Sequence, residues 1–357
     1  MASPRSRSKP SRRGARIPAA RRRAALEIAK AFEPGQRVAL TTHVNADGDG
    51  VGAEIALWHL LTKRGARAAI TNPTPFPERY RFLLEGADRA DRSQDAVKHL
   101  ESADVIVVLD ISDVGRLGHL ARVVEASAAP VVCIDHHTSN GRLPPGPRLV
   151  DPDASATGEL LYDLARSANW ALSREAAQAL YVALLTDTGG FRFSNTSART
   201  LEVASHLLAE GLDPETIYRN VYANESEGRI RLLAGVLETL VVESERGLAW
   251  ITVPPGALER YGVDPADLEG VVEFPRSIRG VRLAILFRKI ASGRIKVSFR
   301  SVGDIDVAEL AQRFGGGGHR KAAGASLEGT LANVQTQVLA VCRDLLEAAP
   351  TPSDVAG

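Results

Sequence analysis

The sequence predicts an α/β protein with a parallel sheet in its N-terminal part and a smaller α+β domain in its C-terminal part. In the N-terminal part, short apolar runs rich in β-branched residues alternate with helical patterns, as in a parallel sheet with right-handed crossovers. Nearer the C-terminus the pattern changes, because apolar and polar residues alternate there as in a half-exposed strand. The 357 residues are enough for two hydrophobic cores.

The elements of the N-terminal part follow from local patterns. Apolar runs at residues 37–42, 66–71, 105–109 and 131–134 predict strands, of which the last two are continuously apolar and suit a sheet covered on both faces. Helices are predicted at residues 24–32, 50–61, 155–168, 174–185 and 200–209. Pro34-Gly35 ends the first helix and Gly65 ends the second.

A polar helical stretch that begins at Asp213-Pro214 predicts a connector between two domains. The predicted division is a larger domain at residues 24–212, a helical linker at residues 213–235 and a smaller domain at residues 236–347. In the smaller domain, strands are predicted at residues 248–253, 281–288 and 294–301, and helices at residues 307–314 and 331–346.

Both chain ends, residues 1–23 and 348–357, are predicted to be disordered tails. Between Arg5 and Arg23 there are nine Lys or Arg residues and no acidic residue. A solvated tail is the simplest interpretation of this composition. Non-specific attraction to nucleic acid is the alternative.

Composition excludes several classes of protein. A net charge of +1 and a hydrophobic content of 44% describe a globular protein and exclude a highly basic one. No apolar run reaches the roughly 18 to 20 residues of a membrane span, and the Arg-rich start lacks the apolar core of a secretory signal. Cys133 and Cys342 lie far apart in the sequence, and Cys133 falls in a strand pattern typical of a buried thiol. A cytoplasmic location, without a membrane partner, is the expectation.

Acidic and histidine residues follow the predicted strands of the larger domain. Ligands of an open parallel sheet bind beyond the carboxyl ends of its strands, so these side chains are expected to converge at one edge. The candidates are His43, Asp47, Asp49, Asp110, Asp135, His136, His137 and Asp187.

Carboxylates mixed with imidazoles suit hard or borderline divalent cations such as Mn²⁺ or Mg²⁺. Two such ions about 3.5–4 Å apart can stabilise the attacking and the leaving oxygen of an in-line displacement at phosphorus. A single Asp after a strand is usually a helix N-cap, so the prediction rests on the whole set rather than on any one residue. The sequence therefore predicts a two-metal phosphoesterase.

The same segments resemble the DHH phosphoesterases, a family named after the triplet found here at Asp135-His136-His137. The resemblance rests on residues 42–50, 108–113, 135–137, 186–191 and 315–319 and extends over residues 25–346. It implies a DHH catalytic domain, a DHH-associated substrate-binding domain and an active site in the cleft between them. Within the family, the chain is most similar to bacterial nanoRNases, which are bifunctional oligoribonucleases and 3′-phosphoadenosine-5′-phosphate phosphatases.

The resemblance also implies roles for individual residues. One Mn²⁺ would be bound by His43, Asp47 and Asp110. The other would be bound by Asp49, Asp110, His136 and Asp187, so that Asp110 bridges both. His137 would contact the substrate phosphate as a catalytic residue, and Asp135 would orient an imidazole from the second shell.

The four consecutive glycines at residues 315–318 are the informative feature of the smaller domain. Glycines allow positive φ and expose backbone N–H groups, so an anion can bind there. A flexible surface loop is the alternative interpretation. The resemblance implies substrate binding by this segment and by an Arg-Ser pair that ends a predicted strand. The implied residues are Arg300, Ser301, Gly316, Gly317, Gly318 and His319.

Three functions remain open at this point. The first is hydrolysis of short single-stranded RNA and of phosphoadenosine phosphate, with cyclic or linear dinucleotides of the c-di-AMP and pApA type as alternative substrates. The second is another enzyme on the same catalytic domain, either a RecJ-like single-strand exonuclease or a family II inorganic pyrophosphatase. The third is a nucleotide sensor that has lost catalysis. A homodimer is expected from the resemblance alone.

Overall fold

A computed structural model describes residues 16–87, 89–138, 141–290 and 292–348, apart from the side chains of Ala266 and His319. The chain divides into two compact units, of which the first ends at Asn224 and the second begins at Glu225. This division lies inside the stretch that the sequence predicts as a linker. Of the two predicted tails, residues 1–15 and 349–357 lie outside the described residues.

The first unit alternates helices and strands. Its elements are α1 (Ala19–Ala29), β1 (Arg37–Thr41), α2 (Gly48–Lys63), β2 (Arg67–Ile70), α3 (Ala96–Glu101), β3 (Val105–Leu109), α4 (Ala121–Ala126), β4 (Val131–Asp135), β5 (Arg148–Val150), α5 (Thr157–Ser167), α6 (Arg174–Asp187), α7 (Ala198–Leu208) and α8 (Pro214–Tyr222). Short 3-10 helices lie at Glu78–Leu84, Ser93–Asp95 and Val114–Leu120.

The five strands form a parallel sheet in the order β2-β1-β3-β4-β5. All five residues of β3 and all five of β4 are buried, as expected for apolar strands covered on both faces. The strand order reverses between β1 and β3, since β2 lies on one side of β1 and β3 on the other. Such a switch point leaves a crevice at the carboxyl ends of the two strands, where ligands bind.

Several element boundaries differ from the sequence prediction. Helix α2 begins at Gly48 rather than at residue 50, because the Asp47 carboxylate accepts hydrogen bonds from the backbone N–H groups of Asp49 and Gly50, each at 3.1 Å. Strand β5 was not predicted, since three residues are too few for a periodic pattern. Helix α6 extends to Asp187.

Helix α1 begins at Ala19, so residues 19–23 of the predicted basic tail are helical in the structure. Arg21 is only 4% exposed. Its guanidinium contacts the carboxylates of Asp151 at 2.8 Å, Glu159 at 2.7 Å and Asp163 at 2.9 Å. Arg199 contacts Glu159 and Asp163 from the other side, each at 2.5 Å. The buried ion cluster therefore ties α1 to α5 and α7.

Replacing Arg21 by alanine is expected to lower the free energy of unfolding by about 3–5 kcal/mol, because the buried carboxylates of Glu159 and Asp163 lose a cation. Urea unfolding followed by circular dichroism measures this. Arg22→Ala, at an exposed position of the same helix, is the matched control and should change stability little. Equal effects of the two substitutions would show that the cluster does not hold α1.

The second unit is a mixed sheet with helices. Its elements are α9 (Glu227–Leu237), β6 (Val241–Glu243), β7 (Leu248–Thr252), α10 (Ala257–Tyr261), α11 (Glu273–Arg276), β8 (Leu283–Lys289), β9 (Ile295–Ser301), α12 (Val307–Gln312), β10 (Gly317–His319), β11 (Ala322–Leu327) and α13 (Leu331–Ala348). The strand order is β10-β11-β9-β8-β7-β6, in which only the β7–β8 pair is parallel. Residues 213–237 form α8 and α9, two helices separated by a break, rather than one linker helix. No helix in the described part of the chain has the length and apolar character needed to span a membrane.

Candidate metal centre

The switch point between β1 and β3 positions the predicted metal ligands of the first unit. His43 lies two residues after the end of β1, and Asp110 directly follows β3. Asp49 lies in the first turn of α2, His136 directly follows β4, and Asp187 is the last residue of α6. Five elements thus direct one or more of these side chains to the same place.

Two groups of candidate ligand atoms form there, and a third, made of Asp110, His136 and His137, overlaps both. In each group the atoms lie within 4.8 Å of one another. The first group is His43, Asp47 and Asp110, and the second is Asp49, His136 and Asp187. His136 Nε2 is also 3.6 Å from Oδ1 of Asp110, so Asp110 borders both groups.

The two histidines present their Nε2 atoms to these carboxylates. Nδ1 of His43 lies 3.0 Å from the carbonyl oxygen of Val44, and Nδ1 of His136 lies 3.3 Å from that of Ala154. A carbonyl only accepts, so Nδ1 carries a proton and Nε2 is the nitrogen available to a metal once it is unprotonated. Nε2 of His43 is 3.7 Å from the carboxylates of Asp47 and Asp110, and Nε2 of His136 is 3.6 Å from those of Asp49 and Asp187.

The residues fit a divalent cation. Both Nε2 atoms are buried without a hydrogen-bond partner, which is costly in the absence of a ligand. Separations of 3.6–3.7 Å are too long for hydrogen bonds. They suit atoms that share one ion, since ligand atoms lie about 2.0–2.6 Å from the metal. Oxygen and imidazole ligands favour Mn²⁺ or Mg²⁺ over softer ions.

The electrostatics of the protein without metal support the same conclusion. Burial, together with the charges of Asp110 and Asp187, raises the pKa of Asp49 well above its usual value. Burial raises the pKa of Asp187 to about 6. Burial opposes the protonation of His43, but Asp110 and Asp47 outweigh it and raise the pKa of His43 to about 10. The carboxylates therefore need cations, and protons take that role when metal is absent.

Asp110 adopts a left-handed backbone conformation, with a φ of 56°. Non-glycine residues rarely occupy this region, which costs of order 1–3 kcal/mol. The conformation turns the chain sharply at the end of β3 and brings the carboxylate between His43 and His136. Aspartate and asparagine tolerate it best among side chains with a Cβ.

Residues that the sequence analysis missed hold the carboxylates in place. The backbone N–H groups of Thr157 and Gly158, at the start of α5, donate to Asp49 at 2.6 and 2.9 Å. The Thr157 hydroxyl donates to Asp110 at 3.0 Å. Asn195 Nδ2 lies 3.2 Å from both the carboxylate and the carbonyl oxygen of Asp187. Asn195 lies eight residues after Asp187, just beyond Gly189-Gly190. This short separation in the sequence could have indicated that the two side chains meet.

Asp135 orients His137. The carboxylate of Asp135 is fully buried and lies 2.7 Å from Nδ1 of His137. It also accepts the backbone N–H of His137 at 3.2 Å. Burial lowers the pKa of His137, but Asp135 and Asp110 outweigh this and raise it above its usual value. His137 is therefore a partly exposed imidazole at the edge of the site, held by Asp135 in surroundings that favour its protonated form.

The predicted substrate-binding residues lie in the second unit. Nε of Arg300 donates to the carboxylate of Glu273 at 2.8 Å. Ser301 is buried, and its hydroxyl donates to the carbonyl oxygen of Ile305 at 2.8 Å.

The four-glycine segment is not an open loop, because Gly317–His319 is the strand β10 and pairs with β11. A Cβ at Gly316 or Gly318 would collide with backbone atoms of β11, so close strand packing accounts for these glycines. The side chain of His319 lies outside the described part of the structure.

Comparison with known proteins identifies the family. The family model described as "DHH family, N-terminal domain" matches residues 37–184, and the "DHHA1 domain" model matches residues 250–348. The chain is 32% identical to a bifunctional oligoribonuclease and PAP phosphatase, NrnA, of Thermus thermophilus, over 85% of this chain and 87% of that protein. The chain belongs to the DHH family. This confirms the family and the fold class predicted from the sequence.

Two further proteins extend the comparison. The Bacillus subtilis protein of the same description is 28% identical over 84% of this chain and 92% of its own length. The crystal structure of an exopolyphosphatase-related protein from Bacteroides fragilis has 30% identity and a TM-score of 0.83, covering 91% of this chain and 98% of that one. The similarity therefore extends over both units.

Proposed function

We propose that this protein is a metal-dependent phosphoesterase that hydrolyses short RNA oligonucleotides to mononucleotides and removes the 3′-phosphate from phosphoadenosine phosphate. The observation that carries the proposal is the pair of ligand groups, both bordered by Asp110, at the switch point of the sheet. The 32% identity to an oligoribonuclease and PAP phosphatase supports the choice of substrates.

In the proposed mechanism, His43, Asp47 and Asp110 hold one divalent cation and Asp49, Asp110, His136 and Asp187 hold the other. When bound, the cations, for which we propose Mn²⁺, neutralise phosphate charge and acidify a water molecule. Thr157 and Asn195 keep the carboxylates of Asp110 and Asp187 oriented. Asp135 orients His137 by accepting a hydrogen bond from its Nδ1–H, so that Nε2 of His137, when protonated, would donate to a phosphate oxygen or to the leaving oxygen.

We assign substrate positioning to residues 236–347 and catalysis to residues 24–212. Arg300 supplies a guanidinium for a substrate phosphate, and the backbone of Gly316, Gly317 and Gly318, with His319, supplies further donors. Ser301 supports this arrangement through its bond to Ile305. We also infer a homodimer in the cytoplasm, and light scattering of the purified protein tests the oligomeric state.

An exposed aromatic ring near Asp187 favours a substrate that contains nucleobases. Phe193 is 56% exposed. Its ring lies on the backbone of Gly189, where a Cβ would collide with it. Gly189 is two residues from Asp187, so the ring lies within about 12 Å of the Asp187 Cα, given about 3.8 Å between consecutive Cα atoms. This is a suitable distance for a base whose phosphate reaches the metal centre.

Replacing Phe193 by alanine is expected to raise KM for a ribodinucleotide about tenfold and to change kcat little, since stacking on one base contributes about 1–3 kcal/mol. Phe193→Trp should retain wild-type KM. Dinucleotides that lack the base at one position provide the internal control, because the alanine penalty should vanish for one of them. An unchanged KM in the alanine variant would exclude the stacking role.

A substrate panel tests the proposed function. The purified protein is incubated in Mn²⁺ or Mg²⁺ with ribo-oligonucleotides of two to five residues, phosphoadenosine phosphate, pApA, c-di-AMP, pyrophosphate and long single-stranded DNA. Chromatography of the products should give mononucleotides from the short RNA and AMP from phosphoadenosine phosphate. Preferential cleavage of pyrophosphate or long DNA would contradict the proposal, and exclusive cleavage of the dinucleotides would narrow it to a dinucleotide phosphodiesterase.

A further inference from the structure

A cavity lies in the first unit, at the opposite end of the strands from the metal centre. Its volume is about 340 Å³. It is lined by the first residues of β1 and β2 and by the end of α3, whereas the metal ligands follow the last residues of β1, β3 and β4. We call it the arginine cavity, after Arg37, Arg67, Arg89 and Arg92 in its wall.

The register of the sheet builds this cavity. Arg37 is the partner of Arg67 in the β1–β2 ladder, and Ala39 is the partner of Ala69. Residues two apart on a strand face the same side, so two arginines and two alanines lie on one face of adjacent strands. Ala69 is half-buried and leaves an apolar floor in the cavity, whereas Ala39 is buried in the core with Ala96 and Leu100 of α3. His99 of α3 forms part of the wall.

The arginine cavity carries excess positive charge. Among the described residues, Arg37 is the one lining arginine that pairs with a carboxylate, that of Asp104 at 2.7 Å. Arg67 and Arg89 form no ion pair with any described residue, and Nη1 of Arg92 contacts a carbonyl oxygen at 3.4 Å. The hydrogen bonds from Arg37, with a smaller contribution from Arg67, lower the pKa of Asp104 to about 2. Among the residues that the structure describes, the four lining guanidinium groups therefore make one ion pair with a carboxylate.

A flat, fully solvated surface can carry such charge without binding a ligand. The arginine cavity differs from such a surface because it is concave and has an apolar floor. Guanidinium groups match the geometry of phosphate and are weakly hydrated, so they suit phosphate binding. Ligand pockets range from about 300 to 1,000 Å³, which places this cavity at the size of one nucleotide rather than of an oligonucleotide. Ala69 and Ala103, which are both half-buried in the cavity wall, offer an apolar surface for a base beside the arginines.

We propose that the arginine cavity is a second binding site, for a mononucleotide, with its phosphate on Arg67 and Arg89 and its base over Ala69. Mononucleotides are the products of the proposed reaction, so the site is suited to respond to product. Binding at this site requires no metal, and its test is therefore independent of the proposed catalysis.

Isothermal titration of the full-length protein in EDTA tests this proposal, with AMP, adenosine and inorganic phosphate as separate probes at low ionic strength. AMP should bind once per chain and at least about tenfold more tightly than either fragment, because only AMP reaches both the arginines and the floor. Arg67→Gln combined with Arg89→Gln should weaken AMP binding at least about tenfold. Ala69→Leu should weaken it without changing the charge.

The control is Arg122→Gln combined with Arg174→Gln, which removes the same charge from exposed helical positions of the first unit. This variant should bind AMP like the wild type, and thermal melting should show all variants folded. The proposal is overturned if the wild type does not bind AMP at millimolar concentration. It is also overturned if the control loses as much affinity as the cavity variant, or if phosphate binds as tightly as AMP.

Discussion

Replacing Asp110 by asparagine is expected to lower kcat/KM for a ribodinucleotide at least about 10³-fold. Asp110 borders both ligand groups, so its loss removes charge from both proposed cations at once. Stabilisation of the reacting phosphate by such cations is worth several kcal/mol, and each 1.36 kcal/mol is a factor of ten in rate. Asparagine is the informative substitution because it has nearly the same shape and tolerates the left-handed backbone at this position.

Steady-state kinetics with saturating Mn²⁺ measure this effect. The matched control is Asp153→Asn, an exposed aspartate in the same unit, which should retain wild-type kcat/KM. Thermal melting in EDTA separates catalysis from folding by showing whether the asparagine variant is folded. Some loss of stability is expected there, because His43, with His137 and His136, outweighs burial and lowers the pKa of Asp110, so the folded metal-free protein favours its carboxylate. Retention of more than about a tenth of the wild-type rate would be incompatible with a bridging role for Asp110.

The apparent affinity for Mn²⁺ is expected to rise at least about tenfold per pH unit between pH 6 and pH 8. With a pKa of about 10, His43 is protonated in the metal-free folded protein throughout this range. A metal can bind its nitrogen only after that proton leaves, and displacement of one proton gives a tenfold slope per pH unit. Below about pH 6 the slope should steepen, because Asp187 is then also protonated.

The free energy of unfolding of the metal-free protein should fall as pH rises, whereas the affinity for Mn²⁺ increases. The pKa of Asp187 rises on folding to about 6, from about 3.9 for an unfolded aspartate. The folded protein therefore binds more protons than the unfolded one above about pH 4, and stability falls as pH rises. The raised pKa of His43 acts in the same direction. Its contribution to the free energy of unfolding is full below about pH 6.5 and is lost as the pH approaches 10.

Titrations of Mn²⁺ at pH 6, 7 and 8, paired with melting curves in EDTA, measure both trends. His43→Gln should flatten the dependence of Mn²⁺ affinity on pH, since glutamine has no proton to displace. His99→Gln, at a histidine in the arginine cavity, should keep the wild-type slope. A Mn²⁺ affinity that does not vary with pH would show that the cation does not bind to His43.

The central strands and their terminal residues could be predicted from the sequence because they depend on local information. Strand β3 is a continuous apolar run, and its bounds match the prediction. The residues after β1, β3 and β4 converge because parallel strands share one carboxyl edge, which is a property of the fold class and not of particular contacts. The same reasoning placed His43, Asp110 and His136 together.

The features that could not be predicted depend on contacts between distant parts of the chain. Arg21 belongs to an Arg-rich segment whose composition suggests a tail, and the carboxylates that bury it lie 130 to 142 residues away. Thr157 acquires its role only when α5 packs on α2 and β3. The glycines of β10 have no side-chain periodicity, so nothing local in the sequence showed that this segment is a strand and not a loop.

The central claim is that two divalent cations bind at the switch point of the first unit. Anomalous diffraction at the manganese edge, from crystals grown with Mn²⁺, tests it most directly. We predict two peaks about 3.5–4 Å apart, one contacted by His43 and the other by His136, with Asp110 between them. Peaks at any other position, or a single peak without Asp110 among its ligands, would contradict the proposed metal centre.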